Sequence, residues 1–226
     1  MNRYMGRWLR AGKSFWDCWG DVTGACLLAA LAFYFLSGRF TSVRFDRERI
    51  EVEVTPGVIH VQGLYHYQND SRLPAVLTLT TPFPVDQDHP VPDTYTLAEV
   101  DGDRHIVRDL ELRGRQEAPS VRLLLLAREA KWIQLDYWQT TRSHEGRYLL
   151  TTTRPWHRPI ASATFRLVLP SDCILNMSNY PLIEIPGAHR STVLTFSRTN
   201  FFPDQDWRFS WQQRQSAAAH GAGGFR

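Results

Sequence analysis

The run Val22–Gly38 carries no charged side chain in seventeen residues. At about 1.5 Å per residue a helix of this length reaches about 25 Å, and extending it from Trp19 to Phe40 gives about 33 Å, enough for a hydrocarbon core of about 30 Å. Trp16, Trp19 and Phe40 suit the interfacial belts at its two ends. Arg39 and the basic N-terminus bracket the run, and no amphipathic period passes through it, which argues against a buried core helix. Residues 21–40 are therefore expected to form a single transmembrane helix. A cleaved signal peptide competes with this reading. It needs a small-residue cleavage site after the apolar run, which Ser37-Gly38 matches poorly, and the 20-residue leader is long for one. An uncleaved anchor is the favoured expectation.

Four cations, Arg3, Arg7, Arg10 and Lys13, precede the span. The positive-inside rule then puts residues 1–20 in the cytoplasm and the C-terminal bulk in the periplasm, across the bacterial inner (cytoplasmic) membrane. Within the leader, Met5, Trp8, Leu9, Gly12, Phe15, Trp16 and Trp19 fall on one side at helical spacing, with Arg3, Arg7, Arg10, Ser14 and Asp17 opposite. That pattern predicts an amphipathic helix lying at the headgroups. Gly20 and Gly24, and Ala25 and Ala29, are small-xxx-small pairs that let a second helix approach. The expected membrane and partner contacts are thus Trp8, Trp16, Trp19, Gly20, Gly24, Ala25, Ala29 and Phe40.

Charge distribution narrows the function classes. The chain has 26 basic and 23 acidic side chains, a net charge of +3. Residues 1–39 hold five cations against Asp17 and Asp21, so the remainder is neutral and a basic nucleic-acid-binding face is not expected. Arginine outnumbers lysine 24 to 2. This reads as compositional bias rather than as dedicated phosphate recognition. Cys18, Cys26 and Cys173 cannot pair with one another in the expected topology, and Cys173 reads as a small buried hydrophobe.

From Val43 the hydrophobic period changes to two. Ile50, Val52 and Val54 alternate with Arg49, Glu51 and Glu53; Ile59, Val61, Gly63, Tyr65 and Tyr67 alternate with His60, Gln62, Leu64 and His66. Pro56-Gly57 between them predicts a hairpin. Further strands are expected over Ala75–Thr81, Thr94–Val100, His105–Leu112, Val121–Ala127, Trp132–Thr140, Arg147–Thr153, Ala161–Leu169, Thr192–Ser197 and Trp207–Trp211, with a turn at Arg128–Lys131. Many short strands at this spacing predict a mainly β fold: an antiparallel β-sandwich, Ig-like or related, over residues 41–215, followed by a flexible tail at 216–226. Trp207, Phe209 and Trp211 share one face and are expected in the core, with Arg208 and Ser210 facing out.

No H-E-x-x-H, C-x-x-C, G-x-S-x-G, P-loop or G-x-G-x-x-G occurs. His60 and His66 share a strand face about 20 Å apart, so they cannot chelate one ion and read as solvated histidines. Asp86/Asp88, Asp101/Asp103 and Asp204/Asp206 offer too few converging oxygens for calcium and read as turns. No catalytic residue, metal ligand or cofactor is expected.

The segment Thr151-Thr-Thr-Arg-Pro-Trp156-His-Arg-Pro-Ile-Ala-Ser-Ala-Thr-Phe165-Arg-Leu-Val-Leu-Pro170, with Gly63-Leu-Tyr65-His-Tyr67-Gln-Asn69, resembles bacterial single-span proteins that carry an extracytoplasmic β-sandwich. Accessory subunits of photosynthetic reaction-centre and light-harvesting complexes are one example. This fold-level resemblance implies a non-enzymatic accessory or scaffold subunit, with the lipid bilayer and integral subunits of a membrane complex as partners. The alternative is a membrane-tethered module binding cell-wall glycan or another carbohydrate. An envelope enzyme is a third reading, disfavoured by the missing motifs.

Overall fold

The computed structural model describes residues 42–186 and 191–214. The leader, the apolar span, the eight contact residues assigned to them and the tail at 216–226 lie outside the described residues. Among the described residues, no helix is long and apolar enough to cross a membrane.

The alternation around Pro56-Gly57 produces the first hairpin. β1 (Val43–Thr55) and β2 (Val58–Asn69) pair antiparallel, with Val54 opposite Ile59 and Val52 opposite Val61. Gly57 takes the turn at φ +76°, a left-handed conformation that a side chain disfavours. The hairpin is the centre of an eight-stranded sheet that also contains β4 (Thr94–Val100), β5 (Ile106–Asp109), β8 (Ala130–Thr140), β10 (Ile160–Pro170), β12 (Ile183–Ile185) and β13 (Ser191–Phe201). The order is β12-β13-β10-β1-β2-β8-β4-β5.

Two smaller sheets cover one face of it. β3 (Ala75–Thr80), β7 (Ala118–Leu125) and β6 (Arg113–Arg115) form one; β11 (Cys173–Ser178), β14 (Trp207–Gln213) and β9 (Glu145–Tyr148) form the other. All three sheets share a single core: Ile50, Val52, Leu135, Phe165 and Leu167 meet Leu77, Leu123 and Leu125 from one small sheet and Trp207 and Phe209 from the other. The fold is thus mainly β and sandwich-like. Trp207, Phe209 and Trp211 are buried in that core, as their shared parity predicts, and Arg208 is exposed; Ser210, expected to face out with it, is buried, with its hydroxyl accepting from Asn176 Nδ2.

Four further features depart from the sequence expectation. The large sheet is mixed, because β1 and β10 run parallel, with Ile50 beside Phe165 and Val52 beside Leu167. A parallel pair needs a long crossover, and here most of the second layer is built between the two strands. The strand expected over Arg147–Thr153 ends at Tyr148, and Thr151–Trp156 forms a 3₁₀ turn. Asp206, far along the chain, accepts hydrogen bonds from the Thr151 backbone N–H at 3.1 Å and hydroxyl at 2.7 Å, and Thr153 bonds back to the Leu150 carbonyl. Three further strands lie outside the expected set: β6 and β12 have three residues each, too few to show a period, and the six residues of β11 do not alternate and shift register between Leu175 and Met177. Finally, the ladder between β1 and β2 shifts register between Phe45 and Arg47. This bulge turns Phe45, Asp46 and Glu48 all into buried positions.

Candidate functional site

Period-two geometry gives the large sheet an outer face opposite its core face. The register brings rows of residues together there that are remote in sequence. One row is Glu53, His60, Trp138 and Thr94; the next is Arg166, Glu51, Gln62, Asp136 and Thr96; a third is Thr164, Arg49, Leu64, Gln134 and Ala98. These side chains are mostly exposed or half-buried, so among the described residues no second layer covers this part of the face.

The middle rows enclose a groove of about 200 Å³, lined by Arg49, Glu51, Gln62, Leu64, Arg104 and Arg166, among others. Arg166 Nη1 donates to Glu51 Oε2 at 2.9 Å. Among the described residues Arg49 and Arg104 have no carboxylate partner, so three guanidinium groups stand against one carboxylate in the groove lining. Arg104 comes from the Asp101–His105 turn at φ 67°, where the Asp101 carboxylate accepts the N–H groups of Asp103 and His105. Such a surface suits a carboxylate-bearing ligand, because guanidinium pairs with carboxylate in a two-pronged fork.

Beside the groove, the His60 and Trp138 rings stack 3.7 Å apart at an interplanar angle of 3°. His60 Nε2 lies 3.0 Å from Asp136 Oδ1, and Gln62 Nε2 donates to Asp136 Oδ2 at 2.9 Å. Glu53 Oε2 sits 3.9 Å from the other ring nitrogen. The two carboxylates face opposite edges of the imidazole, so they orient the ring and do not converge on one ion. Trp138 keeps 43% of its surface exposed. His66 is buried and pairs with Asp46 through Nδ1. The expectation of solvated strand-face histidines is therefore corrected for both: each is held by a carboxylate that the fold brings to it.

On the opposite face of the same strands lies a second polar cluster. Glu48 is 2% exposed. The Tyr148 hydroxyl donates to its Oε1 at 3.2 Å, and the Tyr65 and Tyr148 hydroxyls lie 2.8 Å apart. Glu48 Oε2 is buried with no hydrogen-bond partner. Burial pushes the Glu48 carboxyl up to about 8, against the opposing Tyr148 hydrogen bond, so the group is mostly neutral at pH 7. Burial likewise drives Tyr65 and Tyr148 well above the ordinary phenol range. The Tyr65 ring folds back over Gly63, where any Cβ would collide with it.

A second concavity, about 270 Å³, lies between the β1–β2 turn and β14 and includes Cys173, His144 and Ser143. Burial and the neighbouring Asp172 push the Cys173 thiol up, which suppresses the nucleophilic thiolate. Two of the three Asp pairs do the local turn work expected of them: Asp86 Oδ1 accepts from the Asp88 and His89 N–H groups, and Asp101 closes its turn. Asp206 departs from it and holds Thr151, remote in sequence. Among the described residues, no group of three or more His, Cys, Asp or Glu side chains is placed to hold a metal ion.

Sequence reasoning missed the groove and the Glu48 cluster. Glu48 had a legible signal, since it shares the parity of Ile50, Val52 and Val54 and so carries a carboxyl to the core face. The groove had none, because Arg49, Arg104 and Arg166 meet only through sheet pairing.

No family model matches the chain, and no curated protein matches it by sequence. Its fold is shared with a solved structure. A putative nutrient binding protein from Legionella pneumophila superposes with a TM-score of 0.62 at 12% identity, over 75% of this chain and 67% of that one. An M1 zinc metallopeptidase from Deinococcus radiodurans aligns with a TM-score of 0.46 at 12% identity, over 74% of this chain and 42% of the peptidase. At this identity the likeness to the Legionella protein extends to the fold alone.

Proposed function

We propose that this chain acts by binding: it is a non-enzymatic accessory or scaffold subunit of a larger membrane protein complex, anchored by residues 21–40 with its β-domain in the periplasm. The observation that carries the reading is the open groove on the large sheet, where Arg49, Arg104 and Arg166 face a single carboxylate, Glu51. An acidic segment of a partner subunit is its complement. Charges at such a surface set specificity and encounter rate more than bulk affinity.

The test is purification of the tagged full-length chain from native membranes in mild detergent, with identification of co-purifying chains. Wild type is expected to bring specific partners with it. The double variant Arg49→Glu, Arg166→Glu is expected to lose them while remaining in the membrane at normal abundance. Unchanged co-purification by that variant refutes the groove as the contact.

One observation favours a second reading. Trp138 offers a part-exposed ring beside the hydrogen-bonding groups of His60, Asp136 and Gln62, a combination that fits stacking on a pyranose ring with bonds to its hydroxyls. Specific glycan binding that Trp138→Ala abolishes, together with no co-purifying chain, decides for a carbohydrate-binding module.

A further inference from the structure

The outer face of the β3–β7 pair is apolar where a solvated sheet face is normally polar. Val76 and Leu124 stand directly opposite each other, and Leu126 follows Leu124 on the same face. Leu73 joins them, because Asn69 Nδ2 donates to the carbonyls of both Leu73 and Leu126, at 2.8 and 2.9 Å. These four side chains are 54–73% exposed. Arg72, Arg122 and Arg128 flank them in the chain, all exposed and none with a carboxylate partner among the described residues. The neighbouring acids are engaged: Asp70 faces Arg44, and Glu129 accepts from the Leu126 N–H and pairs with Lys131. A cluster of exposed aliphatic side chains flanked by exposed guanidinium groups has the chemistry of a surface that meets anionic lipid: apolar groups enter the headgroup boundary and cations meet phosphates.

The chain enters the domain at this same corner. The Ser42 carbonyl accepts a hydrogen bond from the Asp70 N–H at 2.8 Å, and Arg128 N–H bonds to the Ser71 carbonyl at 3.1 Å. The uncharged run ends at Gly38, four residues before Ser42, and four residues span at most about 14 Å. The hairpin tip at Pro56-Gly57 lies at the other end of β2, which at about 3.3 Å per residue is roughly 40 Å long.

We infer that the corner formed by Leu73, Val76, Leu124 and Leu126, with Arg72, Arg122 and Arg128, rests on the anionic lipid surface of the membrane. The inference rests on the reading of residues 21–40 as a membrane span. The occupant is lipid, because on that reading the bilayer begins no more than about 14 Å along the chain from Ser42, where the chain enters this corner.

The test uses the full-length chain with Cys18→Ser, Cys26→Ser and Cys173→Ser, carrying one nitroxide label at Leu124→Cys or Leu126→Cys, and a control label at Pro56→Cys. Each is reconstituted into vesicles of three parts phosphatidylcholine to one of phosphatidylglycerol. Collision rates with oxygen, which concentrates in lipid, are compared with those of a water-soluble nickel chelate. Labels at 124 and 126 are expected to show an oxygen-to-nickel ratio roughly three-fold or more above that at 56. Replacing the phosphatidylglycerol by phosphatidylcholine is expected to lower that ratio. Equal ratios at 124, 126 and 56 in chains that float with the vesicles overturn the inference while leaving the anchor intact. Chains that fail to float overturn the anchor and the inference together. Spectral broadening at 124 that grows with the protein-to-lipid ratio shows a second copy on the patch and also overturns it. Val76→Cys, on the facing strand, repeats the measurement if a label at 124 disturbs the fold.

Discussion

Glu48 makes the fold of this protein sensitive to alkaline pH, and Glu48→Gln should remove that sensitivity. In the folded chain the carboxyl titrates near 8, against about 4.5 when unfolded, because burial disfavours its charged form. Between these two values the folded chain keeps a proton that the unfolded chain has released. Stability therefore falls as pH rises through that window, by about 1.4 kcal/mol for each pH unit at most, or on the order of 5 kcal/mol across it. Below the window both states are protonated and the contribution is fully present; above it both are ionised and the loss is complete. Glutamine keeps the size of the protonated acid and an oxygen for Tyr148, and it carries no titrating proton. At about pH 5 the variant and wild type should match within about 1 kcal/mol, since the Oε2 position lacks a partner in the wild type and the amide nitrogen that replaces it meets the same surroundings. At about pH 8.5 the variant should be more stable by several kcal/mol. Urea unfolding of the full-length chain, followed by the fluorescence of the buried Trp207 and Trp211, measures both. The difference between the two proteins cancels every other titrating group. A stability difference that stays constant from pH 5 to pH 8.5 refutes the reasoning, because it means Glu48 is already ionised in the folded chain.

Gly63→Ala should cost about 1–3 kcal/mol in the same assay, because a Cβ would collide with the Tyr65 hydroxyl and must displace a ring that bonds Tyr148; an unchanged midpoint would show that Tyr65 swings away freely. Trp207→Ala, at the fully buried junction of Phe165, Phe196 and Phe209, should cost about 3–5 kcal/mol by leaving a cavity, and thermal melting without a shift would contradict the packing described. Cys173→Ser should lower stability by roughly 1 kcal/mol and leave partner binding intact, since the thiol is buried with its pKa raised; loss of binding at unchanged stability would give Cys173 a functional role. Trp138→Ala should leave the unfolding midpoint within about 0.5 kcal/mol of wild type, because the ring lies on the outer face; a larger drop would mean that its stack on His60 holds the sheet together.

What the chain encodes locally is legible without coordinates, and the reason is the range of the interactions involved. Ile50, Val52 and Val54 alternating with Arg49, Glu51 and Glu53 determine a half-buried strand, and Pro56-Gly57 supplies the one backbone that turns it into a hairpin. Trp207, Phe209 and Trp211 declare their core face by parity alone. The uncharged run from Val22 to Gly38 is equally local. Everything that depends on which strand lies beside which was decided by the tertiary structure. Period two places Arg49 and Arg166 on a surface, but only the parallel pairing of β1 with β10 makes them neighbours. His60 meets Asp136 across 76 residues of sequence, and the carboxylate rather than the histidine's own segment fixes its surroundings. The strand expected over Arg147–Thr153 failed for the same reason: its second half is bent by Asp206, 55 residues away, and no local propensity carries that information. A sheet's faces are written within each strand, while its neighbours are chosen by the total burial that one pairing achieves over its rivals, a quantity that exists only once all the strands are assembled.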